Sequence, residues 1–192
     1  MANISCSQRY CVNVQENTPR TPPTNMSLSP RHGHRHGTAP PVSWREGRDK
    51  KKIKTMITYN AEGVKMPKLK KRETTAWIRA VAGSYGYKVG EVGYMFVDDE
   101  KILEVNNEFL GHDYYTDVIT FDYDEPGIVS GDIIISLDTV RSNAEKFGKD
   151  YEEELRRVII HGILHLCGIN DKGPGEREIM EEAENKALAM HP

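Results

Sequence analysis

Apolar residues along the chain keep two rhythms, and each change of rhythm marks an element. A strand-like stretch begins at Met56 in "MITYNAEGVKM". From Glu73, "ETTAWIRAVAGSYGY" sets Trp77, Ile78, Val81 and Tyr85 at three- and four-residue spacings, which predicts an amphipathic helix with Thr74 or Thr75 near its cap. "EVGYMFVDD" returns to strand character through Val92, Tyr94 and Phe96, and "DEKILEVNNEFL" returns to helical spacing. Two β-rich runs follow, "TDVITFDYD" and "GDIIISLD"; the "EPGIVS" between them, with Pro126 and Gly127, predicts a turn region joining neighbouring strands. "LDTVRSNAEKFGKD" predicts a helix stopped near Gly148. "YEEELRRVIIHGILHLCG" predicts another, with acids in its first turn and Gly168 at its C-terminal end. A last helix opens after Pro174, roughly Gly175 to Met190, and places Ile179, Ala183 and Ala187 along one face.

Strands interleaved with helices predict an α/β (α+β) fold: one compact domain over residues 56–192, its mixed, mostly parallel sheet of about four strands flanked by helices. A length of 192 residues suits one such domain with a proper core. Residues 1–55 differ in kind. They mix Pro, Ser, Thr, Asn and Gly with almost no apolar period, so they are expected to form a disordered tail that buries too little surface to offset its ordering entropy. Met56 is read as a candidate translation start, which would leave that tail outside the protein.

Charge sharpens the division. The first 55 residues carry ten Lys or Arg against three acids, a net +7, and the rest carry 16 basic and 26 acidic side chains, a net −10. An acidic body argues against wrapping duplex nucleic acid, which rests on many phosphate contacts, but leaves room for a local cleft that takes one strand. Three stretches keep two readings each. "RHGHRHG", with His32, His34 and His36, is a solvated tail or a metal tract; "RDKKKIK" is a charged disordered run or an RNA contact; "KMPKLKKRE" is a solvated face or a guide for RNA. Cys6, Cys11 and Cys167 are too few and too scattered for a disulfide framework. Reduced thiols, no apolar leader and no apolar run long enough to span a bilayer give a cytoplasmic expectation with no membrane partner.

The chemistry gathers in "HGILHLCGIND", residues 161–171. Four residues along a helix is a rotation of about 400°, so His161 and His165 share a face ~6 Å apart along the axis. Gly168 lets the chain double back and bring Asp171 to the same ion as an oxygen ligand. Cys167, about 200° around the helix from His165, points away into the core. A lone His-x-x-x-His pair is usually just two surface residues. Here Val158, Ile159, Ile160, Ile163, Leu164 and Leu166 surround it, and two buried imidazoles need partners that a metal would supply. Zinc peptidases carry Glu directly after the first His as general base, and this chain has Gly162. Phosphodiester cleavage asks less, because a cation activates water, neutralises phosphate oxygens and steadies the leaving group.

Taken in order, "NNEFLGHDYYTDVITFDY", "GDIIIS", "HGILHLCGIND" and "EREIMEEAE" resemble the YbeY endoribonucleases, or ribosomal RNA maturation factors, from about Met56 to the C-terminus. The resemblance implies a compact α/β domain with one Zn2+ per chain, cleavage of single-stranded RNA, processing of ribosomal RNA precursors including the 16S 3′ end, ribosome quality control, and ribosome or small-subunit components as partners. Asp171 stands where the common family form has a third His, and Leu110 where it has an Arg after the aromatic of the stretch holding Asn106 and Phe109. His112 is either a substitute for that Arg or an exposed loop histidine. Thr116 and Asp117 match the family pattern and are either a strand-start cap or part of the substrate cleft. Asp132 is a turn acid or the hydrogen-bond partner of a ligating histidine.

The expected site is therefore His161, His165 and Asp171 as metal ligands and catalytic residues acting through a metal-activated water, with Thr116, Asp117 and His112 as substrate-binding candidates. A zinc-dependent endoribonuclease leads, a ribosome-assembly factor with a structural zinc is the alternative, and a metallopeptidase comes third.

Overall fold

The computed structural model describes residues 11–15, 55–111, 113–123 and 126–192. The histidine tract at 32–36, the basic run ending at Lys54, and His112 lie outside the described residues. Five strands and five helices are described: β1 Cys11–Gln15, β2 Met56–Ala61, α1 Lys71–Ser84, β3 Lys88–Val97, α2 Asp99–Leu110, β4 Val118–Asp122, β5 Ile128–Ser136, α3 Leu137–Phe147, α4 Tyr151–Leu166 and α5 Glu176–Ala189. The sheet order is β1-β4-β5-β3-β2. Only β4 and β5 pair antiparallel; β1/β4, β2/β3 and β3/β5 are parallel, which gives the mixed, mostly parallel sheet expected of residues 56–136. The fifth strand, Cys11–Gln15, is an addition to that expectation and lines the outer edge of β4.

Helices cover both faces of the sheet. On one side Trp77, Ile78 and Val81 of α1, Val140 of α3, and Ile159, Ile160, Ile163 and Leu164 of α4 close over Val92, Tyr94, Phe96, Ile133 and Ile135. On the other, Ile102 and Val105 of α2 pack on Val97 and Ile119 with Met95, Phe121 and Ile134. Two buried side chains tie the first layer together: Tyr94 Oη donates to the carbonyl of Ile159 at 3.1 Å, and Trp77 Nε1 to that of Ala187 at 2.7 Å.

Helix α4 positions the site. It starts on Asp150, whose Oδ1 accepts from the amides of Glu152 and Glu153 at 2.8 and 3.3 Å, and acids in its first turn complement the helix dipole. From Glu154 to Leu166 every residue is buried except Arg156. Close approach to the sheet is made possible by Gly162: a Cβ there would stand 2.8 and 2.9 Å from Cγ2 and Cδ1 of Ile133. The helix ends when the Ile169 amide bonds back to Leu164 O at 3.0 Å across Gly168, whose φ of 85° is the left-handed conformation that favours glycine.

Three local expectations are corrected. Helix α1 is capped at Lys70 with no side-chain bond, so Thr74 and Thr75 sit inside it, Thr74 buried and Thr75 within hydrogen-bond distance of the Tyr59 hydroxyl at 3.1 Å. The turn before β5 is shorter than "EPGIVS", because Ile128–Ser130 already pair in the sheet. On α5 the buried face is Met180, Ala183, Glu184 and Ala187, while Ile179 is exposed.

Candidate metal centre

His161 and His165 rise from adjacent turns of α4, 4 % and 2 % exposed, with ring Nε2 atoms 2.8 Å apart. Asp171, three residues past the glycine exit, brings Oδ2 to 3.7 Å from the first Nε2 and 3.8 Å from the second. These three donors lie within 4.8 Å of one another, and they form a group able to hold a metal ion. The structure thus brings together the three residues that the sequence pointed to.

The outer ring nitrogens settle which way the inner ones present themselves. His165 Nδ1 is 2.8 Å from the carbonyl of Ile169, which only accepts, so Nδ1 carries the proton and Nε2 offers a lone pair. His161 Nδ1 is 2.6 Å from Oε1 of Glu184 and donates to it likewise. Glu184 is in turn held by Arg157, whose Nη1 donates to Oε2 at 2.9 Å and to Asn185 Oδ1 at 2.9 Å. Two neutral imidazoles so anchored would face each other lone pair to lone pair. That arrangement needs a positive charge between or beside them: a cation, or one shared proton.

Without a cation, His161 is the ring better placed to hold that proton. Burial opposes charge there, but the hydrogen bond and the negative charge of Glu184, helped by Asp117 and Asp171, raise its pKa above the usual histidine value. His165 is pushed down to about 3, first by burial and then by its neighbour's charge. Asp171 is also raised, chiefly by burial. A ring drawn toward a proton that a metal could replace, a ring that resists protonation and a desolvated carboxylate are the parts a divalent ion would satisfy together. Two bonds of 2.0–2.1 Å at a tetrahedral angle put donors roughly 3.3 Å apart. The observed separations of 2.8, 3.7 and 3.8 Å straddle that value, so the donors fit one ion.

Cys167 takes no part. It is buried in the core as expected, and burial followed by the charge of Asp122 pushes its thiol up to about 12, far from the thiolate a metal needs.

Asp132 does not serve as the histidine partner. Along β5, Gly131 and Ile133 face α4, so the alternation of a strand turns Asp132 to the opposite side, where its carboxylate accepts from the Tyr123 hydroxyl. The partner is Glu184, 23 residues beyond His161 and on another helix. A readable signal existed: an acid at i+4 from Met180 and i+1 from Ala183 falls on the apolar stripe of α5 and must be paired inside. Thr116 and Asp117 are 1 % and 2 % exposed. The Thr116 hydroxyl donates to Val118 O at 3.1 Å, which leaves it little to offer a substrate. Asp117 receives a 3.4 Å contact from Asn143 Nδ2 and acts on His161 through its charge. The basic stretch before α1 lines a groove through Lys68 and Lys70 with Arg156, Glu73, Glu152 and Glu153, toward the N-terminal end of α4 and away from His165.

Three donors, with no fourth among the described residues, would leave a tetrahedral ion one open position, the arrangement suited to a metal-dependent hydrolase. Comparison with known proteins narrows the class. The profile of the family "Endoribonuclease YbeY" matches residues 56–191. Relatives of that name include one from Bacteroides thetaiotaomicron, 72 % identical over 134 residues that span 70 % of this chain and 98 % of the relative. Another, from Azobacteroides pseudotrichonymphae, is 45 % identical over 132 residues covering 69 % of this chain and 95 % of the relative. The solution structure of TM1509 from Thermotoga maritima superposes with a TM-score of 0.51 at 31 % identity, over 70 % of this chain and 88 % of that one. The chain belongs to the endoribonuclease YbeY family.

Proposed function

We propose that the chain is a zinc-dependent endoribonuclease specific for single-stranded RNA, which acts in the cytoplasm on ribosomal RNA precursors, in maturation of the 16S 3′ end and in ribosome quality control. The observation that carries this reading is Gly162. It stands where a zinc peptidase keeps its general base, and a Cβ there would press on Ile133 at 2.8 Å, so a side chain at this place would head into the sheet and not toward the donors. Chemistry that needs a carboxylate at that place is disfavoured. Hydrolysis of a phosphodiester, where charge neutralisation dominates, is not.

His161, His165 and Asp171 would hold the ion, one Zn2+ per chain. A bound Zn2+ supplies Lewis acidity, polarising a phosphoryl oxygen and easing deprotonation of water. The chain's own groups do the rest. Glu184 and the Ile169 carbonyl hold both rings with Nε2 inward, Arg157 fixes Glu184 through their 2.9 Å ion pair, and burial keeps competing solvent away from the rings. Asp117 adds negative charge beside His161, which favours a cation at the centre.

The test is cleavage of a labelled single-stranded RNA by the full chain carrying one equivalent of zinc. Activity should vanish with chelator, return with zinc, and be absent from His161→Ala. A zinc-loaded protein inert on such RNA would refute the reading. Leu110, in place of the cation common in the family, favours one second reading: a ribosome-assembly factor whose zinc is structural. His161→Ala would then keep ribosome maturation intact wherever the fold is retained.

A further inference from the structure

Half of the large apolar side chains exposed among the described residues are aromatic rings of one region, Phe109, Tyr114, Tyr115 and Tyr123. Three of them fall within seven residues, at the end of α2 and in the loop that leads to β4, with Phe109 59 %, Tyr114 40 % and Tyr115 55 % exposed. Exposed aromatics are not what a loop of an acidic domain needs for solubility.

Buried groups hold this loop in place from both ends. Asn106, 0 % exposed, donates through Nδ2 to the carbonyl of Tyr114 at 2.8 Å. Thr116 and Asp117 are buried, and the Asp117 carbonyl accepts from the Ser136 amide at 3.0 Å. Phe109 leans edge-on against Phe121, ring centres 5.5 Å apart, and keeps the rest of its surface outward. The backbone is thus anchored while the rings are presented. Asp117 acts electrostatically on His161, and Tyr115, two residues earlier, can be at most ~7 Å from it along the chain. The loop runs into β4, whose first residue, Val118, shares one buried cluster with Ile160, Ile163 and Leu164 of the helix that carries the histidines.

Charge excludes one kind of contact and leaves another. Glu108 and Asp113 flank the rings, and their negative charge works against a phosphate lying over the ring faces. A base can lie there, since every base has a π-face and stacking on aromatics is insensitive to sequence. We propose that Phe109, Tyr114 and Tyr115 form a stacking platform for unpaired bases of RNA, placing the adjoining phosphodiester at the His161, His165 and Asp171 centre and rejecting duplex, whose bases are already stacked. This rests on the ribonuclease reading for its substrate class.

The test measures binding and cleavage separately, with the zinc-loaded full chain and two short RNAs of one sequence, one intact and one carrying adjacent abasic sites. Stacking is worth roughly 1–3 kcal/mol per base, so the abasic RNA should bind about 5- to 150-fold more weakly per lost contact. Tyr114→Leu, Tyr115→Leu and Phe109→Leu should each weaken binding of intact RNA and shrink that difference, whereas Tyr→Phe should restore both. Dependence of affinity on salt should not change, because phosphate contacts are untouched. Equal binding of intact and abasic RNA by the wild type, or Leu variants that bind as the wild type does, would overturn the platform. Stacking-dependent binding with no cleavage would uphold the platform and sink the hydrolase; cleavage indifferent to the rings would do the reverse. No binding of single-stranded RNA at all would remove both.

Discussion

Replacing Glu184 by Gln is the most informative single change at the metal centre. The amide keeps the size of the carboxyl and can still accept from His161 Nδ1, now over a neutral bond in place of a charge-assisted one of 2.6 Å. Its NH2 group then meets Arg157 Nη1, where a 2.9 Å ion pair stood, and two donors face each other. A hydrogen bond to a charged group contributes about 1.5–3 kcal/mol against about 1 for a neutral one. Loss of the difference alone weakens His161 as a ligand, since the carboxylate raises the ring's basicity. Changes to such outer partners lower metal affinity by about 10- to 100-fold, or roughly 1.4–2.8 kcal/mol, and the two ranges overlap. Competition between the metal-free protein and a chromogenic chelator reads that affinity for zinc directly. Glu184→Ala would confound the result, for it leaves the guanidinium of Arg157, only 8 % exposed, without its carboxylate and should cost about 3–5 kcal/mol of stability. Glu184→Gln binding zinc within threefold of the wild type, with an unchanged denaturation midpoint when metal-free, would refute the claim that Glu184 tunes the centre.

Four further outcomes are expected. Asp171→Ala should lose zinc affinity on the order of 100-fold, as one of three ligands, yet leave the metal-free protein no less stable because burial already penalises that carboxylate; chelator competition and urea unfolding check the two halves. Gly162→Ala should destabilise by about 1–3 kcal/mol in urea, since its Cβ would press on Ile133 at 2.8–2.9 Å. His165 has a folded pKa of about 3 against a usual 6.5, so the unfolded chain takes up more protons between those values, and this residue's share of metal-free stability is lost as pH falls through that window; His165→Gln should flatten the loss. His161 is shifted the other way, so its contribution is present below the usual histidine value and fades as pH rises through its raised one, and zinc uptake should release its proton, detectable by calorimetry in buffers of different ionisation enthalpy.

Much of this was legible in the chain, for identifiable reasons. Helical spacing and a following glycine were enough to bring His161, His165 and Asp171 together, because all three lie on one element and its exit. The apolar surroundings of the pair announced its burial. Relations between elements were harder. Asp132 was kept as one candidate partner of the histidines, although Ile133 beside it faces α4 and strand alternation turns neighbours to opposite faces. On α5 Ala183 and Ala187 are buried as their spacing indicated, but Met180 and not Ile179 completes the face, and the run of acids hid Glu184. Thr74 and Thr75 looked like caps by residue type, yet Trp77 and Ile78 packing on the core carries the helix back to Lys71. The aromatic loop carries no period at all, and only its depth-anchored ends reveal that its rings are held outward.

Two of the three donors grow from the most thoroughly packed segment of the molecule, while the third hangs past a glycine bend. An ion lost from such a centre would leave the imidazoles held by Glu184 and the Ile169 carbonyl, and the aspartate would be the donor with most room to relax. Loading would then require no refolding, and the speed of exchange, as distinct from the strength of the grip, would belong to residues 168–173. Stiffening that bend should slow arrival and departure alike and leave their ratio nearly where it was.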